Sequence, residues 1–319
     1  MTMGNNILAQ GERFFQEERT ALFRKEEFAY VHTGIIDEDG EMWTTTELDE
    51  ANLSQVYNQY RVRHGIPFPD DIAALRKHYG LSAAKMSQIL GFGINQYRMY
   101  EEGEVPSISN ARTIIAAHEK SIFLSFLEAT KADLTETEYT RIHKKVVNAV
   151  GDCIITTSPS AYSGYRSLSK EKIAAVCHMI ISRMGPVFVT KMNKLLFYID
   201  FIHYKRHGFG ITGLSYKALQ YGPVPERWGF VYAAIPGIEM AEFVYPSGQS
   251  GIRLEIHNPI DHFSLDEKET DTVKSVCQLF GDISAGEISE ISHREHGWIS
   301  NHTDRSTISY QEAFALHYT

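Results

Sequence analysis

The stretch from Thr190 to Trp228 constrains this chain more than any other. Leu195, Leu196, Phe197, Ile199 and Ile202 recur at helical spacing and predict a helix with a broad apolar face, stopped near Gly208. Ile211 to Tyr221 then reads as a strand and ends in Gly222-Pro223-Val224-Pro225. Proline offers no N–H to a sheet ladder and restricts the residue before it, so the pair predicts a rigid extended corner instead of a continuing strand. A fold that contains this stretch must bury a helix and hold a hairpin-like corner beside it.

Lys194-Leu195-Leu196-Phe197-Tyr198-Ile199-Asp200, His203, Gly208, Ile211-Thr212-Gly213 and Tyr221-Gly222-Pro223-Val224-Pro225 stand in an order that resembles the core of the Panacea domain. That family contains SocA-like adaptors and many antitoxins. The resemblance implies a toxin-neutralising domain over residues 166–319, helical with a small antiparallel sheet. It marks Lys194, Tyr198, Asp200, His203, Tyr221, Gly222, Pro223, Pro225, His293 and Trp298 as core or partner-binding positions.

Upstream, alternating residues from Phe28 to Trp43 around Asp37-Glu38-Asp39-Gly40 predict a β-hairpin. Gly11 to Glu26 reads as a charged helix with Phe14, Phe15, Leu22 and Phe23 on its apolar side. Thr46 is a candidate cap for a helix ending before Gly65. After Pro67 and Pro69, short helices follow in quick succession: Asp70–Tyr79, Ala83–Leu90 capped by Ser82, Ile94–Glu101, and one capped by Ser107. Their layout is that of a helix-turn-helix domain. Residues 156–169 have linker composition. Ser264 and Glu267 form a candidate capping box for a helix to Phe280. The expected organisation is therefore α+β and mostly helical: an α/β module at 1–66, a helix-turn-helix domain at 67–130, a connecting helix and linker at 131–165, and the Panacea-like domain at 166–319.

Gly91-Phe92-Gly93 followed by Asn95-Gln96-Tyr97-Arg98-Met99-Tyr100-Glu101-Glu102-Gly103 resembles the helix-turn-helix of the MqsA-like antitoxin and regulator group, over roughly residues 45–120. Asn or Gln can read adenine and Arg can read guanine from the start of a recognition helix. Asn95, Gln96 and Arg98 are accordingly the expected base contacts, Tyr97 between them is expected to pack or to touch the DNA backbone, and Ser82 and Lys85 lie toward phosphate. Two features depart from the group. The N-terminal module has no cysteine, so a zinc ribbon does not carry over. Met99 stands where the group has an arginine, which implies a different base preference or weaker binding.

The net charge of −9 argues against a broad nucleic-acid-gripping surface but not against a small DNA-reading module. No apolar run reaches the length of a membrane span, and the first ten residues lack a signal-peptide pattern, so a cytoplasmic protein is expected. The three cysteines are widely separated, which disfavours both a disulfide framework and a zinc ribbon.

Asp200, His203 and His207 share helical spacing, and His293, Glu295 and His296 cluster with His302 beyond. Neither set is a complete metal or catalytic signature. Buried polar groups that fasten the domain are the expected role, with no metal, no cofactor and no catalytic residue. The leading functional reading is an antitoxin that binds a cognate protein toxin through its C-terminal domain and represses its promoter DNA as a homodimer. A proteolytic adaptor and a ligand-responsive regulator are the alternatives.

Overall fold

The computed structural model describes residues 8–9, 11–149, 159–244, 250–258 and 265–317. The fold is α+β and mostly helical, with small antiparallel sheets. Two compact units make up the chain: Met1–Gln55 together with Pro159–Thr319, and Val56–Ser158.

In the first unit, strand β1 (Arg13–Phe23) pairs along its whole length with β2 (Glu26–Ile36). The helix expected over Gly11–Glu26 is therefore absent. Arg24 and Lys25 turn the chain, both with positive φ (48° and 72°). A two-residue hairpin turn of this kind usually announces itself by Asn-Gly or Asp-Gly, so Arg-Lys carries no turn signal. Phe14, Phe15, Leu22 and Phe23 fit a helical stripe and a strand equally well. The expected downstream hairpin exists but is short: β3 (Met42–Trp43) meets only Ile35 and Ile36.

Helix α1 (Thr46–His64) is capped by Thr45 and not by Thr46, since Leu48 N donates to Thr45 Oγ1 at 3.3 Å. Its first half covers the backbone edge of β2. Asn52 accepts from Thr33 N (2.9 Å) and donates to Thr33 O (3.0 Å), and Gln55 does the same for Val31 (3.1 and 2.9 Å). These amides satisfy ladder groups that another strand would otherwise take. The division between the units falls within α1.

The second unit is a stack of short helices: α2 (Pro69–His78), α3 (Ala83–Ile89), α4 (Gln96–Glu101), α5 (Ile108–Ala116), α6 (Lys120–Ala129) and α7 (Glu136–Asn148). Ser82, Ser107 and Thr135 each cap a helix with the side-chain oxygen. Ile72, Leu75, Met86, Tyr97, Ile114 and Phe123 fill its core.

The chain then returns to the first unit. Residues 159–169 are packed, not loose as their composition suggested. Tyr165 is buried with φ 54°, Gly164 O accepts from Gly210 N at 2.8 Å, and Ser169 caps the next helix. Ser and Gly make tight packed turns as readily as linkers. Residues 156–158 lie outside the described residues, as does Cys153; Cys177 and Cys277 are buried free thiols.

The elements that follow are α8 (Lys170–Met184), β4 (Val187–Phe188), α9 (Val189–His207), β5 (Tyr216–Leu219), β6 (Gly222–Pro225), α10 (Trp228–Ala233), β7 (Ile238–Val244), β8 (Ser250–Ile256), α11 (Glu267–Phe280), α12 (Ala285–Ser292) and α13 (His296–Asn301). One sheet runs β4-β8-β7, and β5 and β6 form a separate hairpin. Only Tyr216–Leu219 of the expected Ile211–Tyr221 strand is extended in a sheet. The expected proline corner is itself a strand: Pro225 pairs with Tyr216 and Pro223 with Ala218. The outer side of β5 is bonded to the segment at Ser306–Ile308, but β6 is an edge strand, where a missing N–H is tolerated. The capping box of α11 is Asp266 with Glu269, each side chain accepting the other's backbone N–H at 2.9 Å; Ser264 lies outside the described residues.

Candidate partner-binding site

Helix α9 is the centre of the C-terminal part. From Met192 to Tyr204 every residue is buried, as expected for a helix apolar nearly all round. Each fully buried Leu, Ile or Phe there contributes about 1.5–3 kcal/mol of burial. Gly208 ends the helix in the left-handed region (φ 76°), and a side chain there would collide with Ser54.

Asp200 organises the turn after the helix. Its Oδ1 accepts from Ile211 N (2.7 Å) and Thr212 N (2.9 Å). Its Oδ2 accepts from the Thr212 hydroxyl and from Tyr216 Oη (2.6 Å). This is why Ile211–Leu214 wraps around the helix end instead of joining β5. Burial pushes the Asp200 carboxyl up, against the opposing pull of these donors. Beside it, His203 Nδ1 donates to Thr272 Oγ1 (2.9 Å), whose own proton goes to Lys268 O (3.0 Å). Burial, then the positive charges nearby, hold the His203 imidazole well below its ordinary pKa, and His207 falls to about 4 chiefly by burial. Both rings are neutral near pH 7. Among the described residues, no group of three His, Cys, Asp or Glu could hold a metal ion.

Tyr198 Oη donates to Glu295 Oε1 (3.0 Å), and Glu295 Oε2 accepts from His317 N (2.9 Å). Trp298 Nε1 donates to Leu219 O at 2.8 Å, and its ring lies between His293 (4.2 Å) and His302 (4.4 Å). The hairpin end is thus tied to α13. Gly222 sits there at φ 99°, so close to Lys194 that an added Cβ would lie 2.7 Å from its Cε and 2.3 Å from Ser292 Oγ. Lys194, Gly222, His293 and Trp298, far apart in sequence, converge on one place. Tyr221 at the hairpin tip is 66% exposed, while Pro223 and Pro225 are buried.

Two openings flank this hairpin. A groove of ≈ 710 Å³ runs along Lys217, Pro225, Arg227 and Trp228 to Phe230, which is 79% exposed. A pocket of ≈ 300 Å³ lies between the start of α9, Tyr221, Trp228 and Ile252, with Lys194 and Asn193 in its wall. Leu219, Val224 and Trp228 line both. Asn193 was not singled out from the sequence; the only signal was a second polar residue beside Lys194 in an otherwise apolar helix.

The residues expected to contact DNA lie elsewhere, on the second unit. Asn95 and Arg98 are exposed and Gln96 is half-buried. Arg98 pairs with Glu102 at 3.0 Å. Ser82 Oγ accepts from Lys85 N, and Lys85 Nζ is engaged by Gln88 and Glu138, each at 3.0 Å. Tyr97 is fully buried and donates to Ile72 O at 2.8 Å, so it is a core residue and not a nucleic-acid contact. Ile94, just before α4, is 80% exposed.

Similarity to known proteins points to one class. Residues 192–299 match the family model described as Antitoxin SocA-like, Panacea domain. The match takes in most of α9, the β5–β6 hairpin and the Trp298 anchor, and it supports an antitoxin role for this part of the chain. No curated protein and no solved structure matches the chain. No described helix is long and apolar enough to cross a membrane.

Proposed function

We propose that this chain is an antitoxin that neutralises a cognate protein toxin by direct binding through its C-terminal part. The carrying observation is that the antitoxin match coincides with a hairpin tied to α13 through Trp298 and flanked by openings and by exposed Tyr221 and Phe230. Exposed aromatic side chains on a fixed scaffold are suited to anchoring a protein partner. No chemistry is required of the chain, and inhibition follows from masking or holding the toxin. Helices α3 and α4 then act as a helix-turn-helix, with Asn95, Gln96 and Arg98 reading the operon promoter as part of a homodimer in the cytoplasm. The second unit has 12 Lys and Arg against 11 Asp and Glu, so the acidic excess of the chain lies outside it. That distribution lowers the electrostatic barrier to DNA for this unit.

Co-expression with the open reading frame next to this gene tests the neutralisation directly. The neighbour is expected to be toxic alone and harmless with this chain; rescue that survives deletion of residues 160–319 would refute the assignment to the C-terminal part. A shortened toxin half-life dependent on a protease would instead favour an adaptor. The double substitution Asn95→Ala with Arg98→Ala is expected to abolish promoter binding in a mobility-shift assay while rescue persists. Unchanged binding would remove α4 from the DNA interface.

A further inference from the structure

Lys194 is completely buried, yet no carboxylate, carbonyl or hydroxyl accepts from its ammonium group among the described residues. Its neighbour Asn193 uses Oδ1 to accept from Tyr232 Oη (2.7 Å). No described group accepts from its Nδ2. Both residues line the ≈ 300 Å³ pocket. The first turn of α9 opens there too, because Val189 and Thr190 lie in the lining and the N-cap residue, Phe188, provides no side-chain cap. The start of a nineteen-residue helix carries a positive dipole end, and its first N–H groups have no acceptor within the helix itself. The remaining wall is mostly apolar, with Phe188, Leu219, Val224, Trp228 and Ile252 beside Tyr221, and among the described residues the lining contains no acidic one.

We propose that this pocket binds a carboxylate carried on an apolar body, with the Lys194 ammonium as counter-ion and the Asn193 amide as a second donor. A buried ammonium without an anion is costly, and an entering carboxylate removes that cost. Burial alone lowers Lys194 to about 8, with no counter-charge opposing it. The cation is therefore still mostly protonated at neutral pH and available to pair. One ammonium and apolar walls suit a singly charged carboxylate better than a phosphate, which calls for more donors. Gly222 keeps the space beside Lys194 Cε open, since any Cβ there would displace the lysine stem. The same carboxylate chemistry could be delivered by a free carboxylic acid or by an acidic residue of a bound polypeptide.

Titration of the full chain by isothermal calorimetry separates these cases. The probes are phenylacetate, neutral phenylacetamide, inorganic phosphate and the blocked tripeptide acetyl-Phe-Glu-Leu-amide beside its Gln counterpart. Either phenylacetate or the Glu peptide is expected to bind saturably, at least tenfold more tightly than its neutral counterpart. Phenylacetate binding identifies a free acid as a sufficient ligand, and binding of the peptide alone identifies a polypeptide source. Lys194→Met is expected to weaken that binding at least tenfold while its melting temperature shows an intact fold. Lys274→Met, on an exposed face of α11, is expected to leave it unchanged. Equal binding of charged and neutral probes, tighter binding of phosphate, retention of affinity in Lys194→Met, or no binding of either carboxylate would each overturn the proposal. The carboxylate site does not depend on the antitoxin reading: loss of toxin rescue with intact carboxylate binding would count against that reading alone.

Discussion

The two halves of α9 each bury a charge, and the surroundings treat them in opposite ways. Asp200, toward the C-terminal end, receives two backbone N–H groups and two hydroxyls, and through them it shapes the chain as far as Tyr216. Lys194, less than two turns earlier, is just as buried but has no acceptor among the described residues. Desolvation penalises both. At Asp200 the hydrogen bonds offset that penalty and specify a loop. At Lys194 nothing in the described protein offsets it. A fully satisfied buried charge is architecture, whereas an unsatisfied one beside a pocket leaves room for a ligand.

The largest effect is expected where the network is complete. Asp200→Ala strands the N–H groups of Ile211 and Thr212 and the Tyr216 hydroxyl, and should cost about 3–5 kcal/mol in a urea melt. A loss below about 1 kcal/mol would mean that the loop is held by packing alone, and the contrast with Lys194 would fail.

Lys194→Met should act in the other direction. Near pH 7 the lysine is protonated both folded and unfolded, so the folded state carries the desolvation cost; replacing it should stabilise the protein by about 2–3 kcal/mol. As pH rises from about 8 toward the ordinary lysine value of 10.5, the folded protein loses this proton while the unfolded chain keeps it. Native stability contributed by this group therefore rises with pH, and the advantage of the Met variant should shrink over that interval. Urea melts of both proteins at pH 7 and pH 10 read the difference. A Met variant less stable than the native chain, or a gap independent of pH, would show that the ammonium is already satisfied.

Gly222→Ala should give the smallest change, a loss of about 1–2 kcal/mol, from positive φ and from contact with Ser292 and the Lys194 stem. It sharpens the comparison, because the lysine end of the helix should respond while the Asp200 loop stays intact. Amide exchange at Ile211 and Thr212 equal to that of the native chain is the expected readout; faster exchange there would show that the two ends are coupled.

Several features of this arrangement were legible in the sequence. The buried face of α9, its Gly208 stop and the helices capped by Ser82 and Ser107 follow from local periodicity and capping chemistry. For Asp200 and His203 the sequence offers only helical spacing; their hydrogen-bond partners, Ile211, Thr212, Tyr216 and Thr272, are brought to them by the fold. Other features depended on partners far along the chain. β1 was read as a helix because Arg24-Lys25 gives no turn signal, and its register is set by pairing with β2. Pro223 and Pro225 speak against a central strand, but the edge strand β6 can accept them. For Tyr97 the local pattern leaves packing and a DNA-backbone contact open, and the tertiary packing places it in the core.

The sequence by itself determined α9 with its Gly208 stop, the helices capped by Ser82 and Ser107, and the identity of the charged residues that α9 carries, because these depend on neighbours within a few positions. Only the tertiary structure decided which of those charges would be satisfied. Thr212 and Tyr216 close around Asp200, whereas Gly222, Tyr221, Trp228 and Ile252 surround Lys194 with space and apolar wall. Burial raises the cost of any charge, but whether a hydrogen-bond partner arrives depends on three-dimensional packing that no local pattern encodes.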